Sequence, residues 1–278
     1  MNAKKIWDTN GPSTFTQPIR SCPLQAIPPS VLHVCSPEVA NPELNAGKDV
    51  VHAKFSVKAG KIDLRYVISE KVAKAAIPHD IHIHKKKYSR ESLLGLQPGL
   101  SKAGRSGVSG LKADSGLVSI VKGMTFVLVE LEDEDALRAV STTSGVVIAE
   151  LDEGSNQSFI GAYFYVRLAD SEDGTLNLRT RIIKGLLEDP ATKSAASTAT
   201  GYLSLKQGKP NQTLKFTVTQ GVEMGRRSNI GVEVGMAETH YIGPVNLFGK
   251  AVQVMKVGLK PKWVCAENSS DEVESSRI

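Results

Sequence analysis

The sequence predicts an α+β fold in which a sheet of many short strands curls around one central helix. From Val50 onward, apolar and polar residues alternate over short segments, as they do in half-buried β-strands. One longer segment, from about Pro190 to Lys206, instead has helical character and an inner face of small residues that a sheet can wrap closely. We therefore expect mostly strands and a single long helix.

The first strand block, upstream of residue 97, contains a predicted hairpin. Its two strands alternate on either side of Ala59-Gly60, a dipeptide suited to a tight turn. Ser89 is a favourable N-cap for a short helix that reaches Leu96. Residues 97–115 are rich in Gly, Ser and Lys without periodicity, which indicates a linker or an exposed loop. The strands expected in this block are 50–58, 61–68 and 76–84.

A second strand-rich block starts at Gly116. Acidic residues in its first turn favour a short helix at 133–140, and Gly208 is a residue typical of the C-terminal end of a helix, here the long one. The tail has almost no apolar residues after Glu267, and we expect 261–278 to be disordered. The strands expected in the block are 117–121, 125–131, 159–168, 175–183, 214–219, 231–234 and 251–257.

Composition and charge narrow the class of protein. An apolar fraction of 41% in 278 residues suits a globular chain, and no apolar run is long enough for a membrane span or a secretory signal. We expect a cytoplasmic protein with reduced thiols, because Cys22, Cys35 and Cys265 form no C-x-x-C pair. The net charge of +5 is mild and dispersed, so no nucleic-acid partner is expected.

A histidine-rich segment raises the question of a metal site. On a strand, Asp80, His82 and His84 would share one face, which makes a candidate row of ligands. Isoleucines occupy the opposite face, and the sequence offers no evident ligand to complete the set. The favoured interpretation is a polar strand face that leads into the basic residues 85–87, with no metal bound.

The strongest candidate for chemistry precedes the long helix. Asp189, Pro190 and the hydroxyls of Thr192 and Ser194 stand immediately before the small-residue segment, where backbone N–H groups can bind an anion. An ordinary structural explanation exists as well. Aspartate is a favoured N-cap and proline a favoured first helical residue. Further along, residues 220–228 are expected to end a strand and turn through glycines into a basic loop.

These two segments closely resemble the C-terminal half of the PhzF-like (phenazine biosynthesis) proteins, relatives of diaminopimelate epimerase. Residues 187–196 resemble the motif E-D-P-A-T-G-S-A, with Lys193 in place of the glycine. Residues 220–228 resemble Q-G-x-x-M-G-R-P-S, with Arg227 in place of the proline. Shorter matches extend the resemblance over about 54–259. Lys193 either adds a contact to an anion or damages the pocket, and we favour the added contact.

The resemblance implies a diaminopimelate epimerase-like fold of two β-barrel-around-a-helix domains, with the active site between them and the N-terminal domain incomplete. It implies a cofactor-independent isomerase, dimeric, that transfers a proton on a small carboxylate. Asp189 would be the acid/base or substrate-orienting group, and Thr192 and Ser194 would bind the substrate. The residues expected to shape the adjoining loop are Gly225, Arg226 and Ser228.

The half of the family's site that belongs to the N-terminal domain is not found in this sequence. Neither the glutamate segment N-x-S-E-T nor the G-H-P-T loop is present. If permitted codons are chosen for residues within 13–35 and the bases are read one position earlier, they can encode a string like the missing segment. We therefore hypothesise that residues 13–35 are translated out of frame. Activity is then doubtful, and the alternative is a non-catalytic protein that binds small anions or acts as a scaffold. The expected divisions are 1–49 irregular or mistranslated, 50–115 remnant domain and linker, 116–260 C-terminal domain, and 261–278 tail.

Overall fold

The computed structural model describes residues 13–16, 47–57, 60–102, 110–112, 115–155 and 159–250. The expected strand 251–257, the tail 261–278 and most of the segment that we interpret as out of frame lie outside the described residues. Within the described ranges, every helix is too short or too polar to cross a membrane.

The described strands form one sheet, in which most neighbours are antiparallel. The strands are β1 (Ser13–Thr16), β2 (Val50–Val57), β3 (Gly60–Val67), β4 (Val72–Ala76), β5 (His82–Tyr88), β6 (Ser115–Val121), β7 (Met124–Glu130), β8 (Phe159–Arg167), β9 (Leu176–Lys184), β10 (Leu187–Glu188), β11 (Thr213–Gln220), β12 (Ser228–Met236) and β13 (Ile242–Lys250). Their order is β1-β2-β3-β4-β13-β12-β11-β9-β8-β7-β6-β5, and β10 pairs with β9 outside this path. The helices are α1 (Arg90–Leu96), α2 (Glu134–Ala139) and α3 (Lys193–Gln207), with a 3-10 turn at Pro98–Ser101.

The sheet wraps around α3, as the sequence predicted. Every residue of α3 from Ser194 to Ser204 is buried, and the helix contacts β6 and β7 on one arm of the sheet and β11, β12 and β13 on the other. Small residues permit this close approach. A Cβ atom on Gly201 would lie 2.4 Å from the Cδ1 atom of Ile81.

The predicted strand 76–84 is wrong as a single element. The chain leaves the sheet after β4, which pairs with β13, and re-enters it as β5, which pairs with β6. Pro78 interrupts the strand because it has no N–H group to donate to a neighbour. Between the two strands, Ile77 donates its N–H to Val245 at 2.8 Å and Asp80 donates to Ile120 at 2.8 Å. This crossing segment joins the two arms of the sheet beside α3.

The strands of the predicted N-terminal remnant continue the same sheet. The inner residues Ile62 and Leu64 are 0% and 1% exposed and belong to the same apolar cluster as α3. These two side chains therefore pack into the core around α3. A second cluster lies on the outer face, where Leu93 of α1 packs with Val129 and Phe164. The predicted domain boundary at residue 115 stays a prediction.

Replacement of Gly201 by alanine tests how closely the sheet wraps α3. The new Cβ would overlap Ile81, and such overpacking costs about 1–3 kcal/mol of unfolding free energy. The control is Gly95→Ala in α1, where nothing lies within 4 Å and a gain of about 0.5–1 kcal/mol is expected. Urea unfolding gives both values. In an Ile81→Ala background, Gly201→Ala should cost less unfolding free energy than it does in the parent protein. An equal cost in both backgrounds would contradict this packing.

Candidate active site

Asp189 lies in the short turn between β10 and α3. β10 folds back on β9 through Gly185, whose φ of +61° is a left-handed conformation that favours glycine. Within the turn, the Thr192 hydroxyl donates to Oδ2 of Asp189 at 2.6 Å and the Ala191 N–H donates to Oδ1 at 3.3 Å. Both carboxylate oxygens are thus oriented by neighbours in the same turn.

The sequence-based explanation of Asp189 as an N-cap is wrong. The helix begins at Lys193, and Thr192 is its N-cap residue. Pro190 therefore stands outside the helix and is not its first residue. The physical reason is that the Asp189 carboxylate accepts hydrogen bonds inside the preceding turn, in the manner of an Asx turn. The predicted C-terminal end at Gly208 is confirmed.

A buried ion pair holds this turn on the sheet. Arg181 of β9 donates from Nε and Nη2 to the two carboxylate oxygens of Glu188 at 2.7 and 2.8 Å. The arginine is 6% exposed. Its Nη1 donates to the carbonyl oxygens of Leu137, at 3.1 Å, and Val140. Because all three guanidinium nitrogens donate hydrogen bonds, the ion pair holds Glu188 in place. Glu188 is the residue directly before Asp189.

Gln220, at the end of β11, binds the turn from the other side. It is fully buried, and its Nε2 donates to the carbonyl oxygen of Asp189 at 2.6 Å and to Oγ1 of Thr192 at 3.2 Å. The Tyr163 hydroxyl, which also reaches Oγ1 of Thr180 at 3.0 Å, lies 3.4 Å from Oε1 of Gln220. Burial raises the pKa of Tyr163, so its hydroxyl remains a donor. These contacts connect the turn to the interior of the barrel.

Asp189 lines two cavities at the mouth of the barrel. One is a cleft of about 980 Å³ and the other a pocket of about 80 Å³. The lining of the cleft includes Lys193, Arg226, Arg227, Ser228 and Lys250. The lining of the pocket includes Met124, Phe159, Ile182, Thr192 and Ser194. Asp189 therefore lies where a basic cleft meets a smaller, mostly apolar pocket.

The structure brings most of the predicted site residues to this place. Thr192 and Ser194 line the pocket with Asp189, and Arg226 and Ser228 line the cleft. Gly225 lines neither cavity. The roles assigned to these residues stay predictions, while their proximity is a property of the fold.

The loop between β11 and β12 is shaped by two glycines. Gly221 has a φ of +77°, and a Cβ atom there would lie 2.9 Å from the carbonyl oxygen of Pro190 and 2.6 Å from that of Arg226. Gly225 has a φ of +67° and donates its N–H to Val222 at 3.0 Å. The loop can therefore pack directly against the turn that carries Asp189, with Arg226 left exposed at the cleft.

Lys193, at the position of the family's glycine in the resemblance, is the first residue of α3 and lines the cleft. Burial lowers the pKa of its ammonium group, and the nearby Asp189 carboxylate acts in the opposite direction. The positive end of the helix dipole lies at the same place. This end of the cleft is thus electropositive and suited to an anionic group.

Sequence reasoning missed the residues that hold the turn in place. Glu188 and Gln220 stood inside the two motifs, which was the available signal, but neither was assigned a role. Arg181 carried no local signal, since its partners come from β10 and from the residues around α2. Arg179 was missed for the same reason, although it contacts Glu223 of the loop at 2.6 Å.

The predicted row of metal ligands is also changed by the structure. β5 begins at His82, so Asp80 lies in the crossing segment and not on the strand. Asp152, from a distant part of the sequence, instead lies beside His82 and His84.

A known protein family and several solved structures are similar to the chain. The sequence model of a family described as "Phenazine biosynthesis-like protein" (PhzC-PhzF) matches residues 45–257. No curated protein matches the chain.

Three solved structures are among those similar to the chain. A PhzF-family phenazine biosynthesis protein from Bacillus anthracis is 17% identical with a TM-score of 0.57, over 78% of this chain and 71% of that chain. A predicted epimerase from Pseudomonas aeruginosa is 20% identical with a TM-score of 0.48, over 78% and 69%. A PhzF-family protein from Enterococcus faecalis is 13% identical with a TM-score of 0.44, over 91% and 95%.

Arg181→Met should destabilise the protein by about 3–5 kcal/mol, because it leaves the buried Glu188 carboxylate without a partner. The control is Arg167→Met, which removes a more exposed arginine and should cost within about 1 kcal/mol. Urea unfolding measures both. The double variant Arg181→Met with Glu188→Leu should regain much of the stability, and equal losses for the two single variants would contradict the role of the pair.

Lys193→Met should be more stable than the parent protein at neutral pH, and the difference should narrow as the pH rises toward 10.5. Between the lowered pKa of Lys193 in the folded protein and its ordinary value of 10.5, the unfolded chain binds more protons than the folded protein does. The stability of the parent protein therefore rises with pH in this range. Denaturant unfolding at several pH values measures the difference, with the exposed Lys209→Met as the control for removal of a surface charge. A difference that does not change with pH would contradict burial of the Lys193 charge.

Proposed function

The chain belongs to the PhzC-PhzF family of phenazine biosynthesis-like proteins, and we propose that it is a cofactor-independent isomerase that transfers a proton on a small carboxylate. Its fold is the diaminopimelate epimerase-like fold that the sequence predicted. The observation that carries the proposal is the position of Asp189, held by two sets of contacts where a basic cleft meets a smaller pocket.

Asp189 is the proposed acid/base or substrate-orienting group. Catalysis by a carboxyl group requires that it stay in a fixed position within hydrogen-bond reach of the substrate. The contacts from Thr192 and Gln220 supply such a position, because they hold both the side chain and the backbone of Asp189. A substrate in the cleft or the pocket would lie beside Asp189, which lines both.

The start of α3 is the proposed binding site for the substrate carboxylate. The first N–H groups of a helix have no acceptor inside the helix, so they are available to an anion. Thr192 and the Ser194 hydroxyl border the same pocket. Lys193 and Arg226 add positive charge along the cleft. That charge would also stabilise the negative charge that develops when a proton leaves the carbon next to a carboxylate.

One observation favours a second candidate, a non-catalytic protein that binds small anions. The family's N-terminal glutamate segment and G-H-P-T loop are not found in the sequence. Proton removal and return would then depend on Asp189 alone, whereas the proposed anion-binding residues all line the cleft or the pocket. Under this alternative, the cleft binds a carboxylate without turnover.

Deuterium incorporation from solvent separates the two functions. With a dihydrohydroxyanthranilate-type substrate, the isomerase should incorporate deuterium, and Asp189→Asn should slow incorporation by about 10²-fold or more. Asp170→Asn, at an exposed position, is the matched control and should retain the parent rate. Mass spectrometry of the product gives the rate. Thermal stabilisation by the compound without any incorporation would favour the binding protein, and full incorporation by Asp189→Asn would refute the role of Asp189.

A further inference from the structure

A second polar cluster lies outside the lining of the cleft and the pocket around Asp189. His82 and His84 stand two residues apart on β5, the last strand of the sheet, and their ring centroids are 4.8 Å apart. Asp152 reaches them from the segment that follows α2. One ligand atom from each of the three residues lies within 4.8 Å of the others.

Hydrogen bonds hold the His84 ring at both nitrogens. The Asp152 N–H donates to Nδ1 of His84 at 3.1 Å, so this nitrogen carries the lone pair, and a metal ion bound at Nδ1 would replace this hydrogen bond. The proton is therefore on Nε2, which donates to Oγ of Ser119 at 2.8 Å. Ser119 is held in turn by Thr125, whose hydroxyl lies at 2.7 Å. A partner that fixes the second ring nitrogen is the usual arrangement behind a metal-bound histidine.

The other two ligands leave room for adjustment. Nε2 of His82 lies 2.9 Å from Oδ2 of Asp152, and the His82 side chain is 51% exposed, so its ring can rotate without disturbing the core. Asp152 also accepts the Lys85 N–H at 3.2 Å, which positions the carboxylate over the strand. The cluster thus combines one buried, oriented imidazole with one exposed imidazole and one carboxylate.

We propose that His82, His84 and Asp152 form a site for a divalent transition metal, with Zn²⁺ as the best-suited ion. Two imidazole nitrogens and one carboxylate oxygen are ligands that Zn²⁺ accepts in proteins, with water in the fourth position. Bonds of about 2.0–2.1 Å in a tetrahedral site place the ligand atoms roughly 3.4 Å apart. Ligand atoms as far apart as 4.8 Å would therefore approach by about 1.4 Å, whereas Nε2 of His82 and Oδ2 of Asp152, at 2.9 Å, would separate by about 0.5 Å.

The site would fasten a loop onto an exposed strand edge. β5 is the last strand of the sheet on its side, and such an edge presents unpaired backbone groups. Asp152 and the Glu150–Lys86 ion pair already bring the loop onto β5. A metal ion bound to both histidines and Asp152 would strengthen this attachment.

Binding of Zn²⁺ to the full chain, stripped of metal with a chelator, tests the site. Isothermal titration should show one ion per chain, and Co²⁺ in its place should give the intense visible bands of a tetrahedral complex. His82→Ala and Asp152→Asn should each weaken Zn²⁺ affinity at least about tenfold, and Ser119→Ala by about 10–100-fold. His52→Ala, an exposed histidine on β2, is the matched control and should retain the parent affinity.

Thermal unfolding gives a second readout. Zn²⁺ should raise the Tm of the parent protein and of His52→Ala but not that of His82→Ala, whose fold is checked by circular dichroism without metal. Zn²⁺ affinity equal in His82→Ala, Asp152→Asn and the parent protein would overturn the proposal. So would the absence of binding at micromolar ZnCl₂.

Discussion

The candidate active site depends on one buried ion pair, Arg181 with Glu188. The pair removes both charges from solvent, which is tolerated only because the guanidinium makes two bonds to the carboxylate and further bonds to backbone carbonyl groups. As Glu188 precedes Asp189 directly, the pair fixes the start of the turn. Gln220 fixes the rest of the turn from another strand. The position of Asp189 is therefore set by β9 and β11 together.

The wrapping of the sheet around α3 explains why these strands meet at the site. The sheet wraps a helix whose buried face is made of small residues, and the crossing segment after β4 joins the two arms of the sheet. This arrangement brings the start of α3, the turn before it and the loop after β11 to the same mouth. Gly221 then allows the loop to pack against Pro190, which lines the cleft.

Charge is distributed so that the two polar centres serve different chemistry. Around Asp189, the start of α3, Lys193 and Arg226 favour an anion. At β5, two imidazole groups and the carboxylate of Asp152 offer ligand atoms to a cation. The second centre lies on an edge strand and outside the lining of both cavities, so loss of one centre need not disturb the other. The same sheet can thus hold an anion site and a candidate metal site.

The sequence by itself determined the strand pattern, the hairpin, the buried central helix with its end at Gly208, and the two motifs of the site. These features depend on periodicity and turn chemistry within a few residues. Only the tertiary structure decided that Thr192 is the N-cap, that residues 76–84 divide between two strands, that Arg181 holds the turn, and that Asp152 joins the histidines. Those outcomes depend on partners far apart in the chain, and the wrapping of the sheet around α3 determines which of them meet.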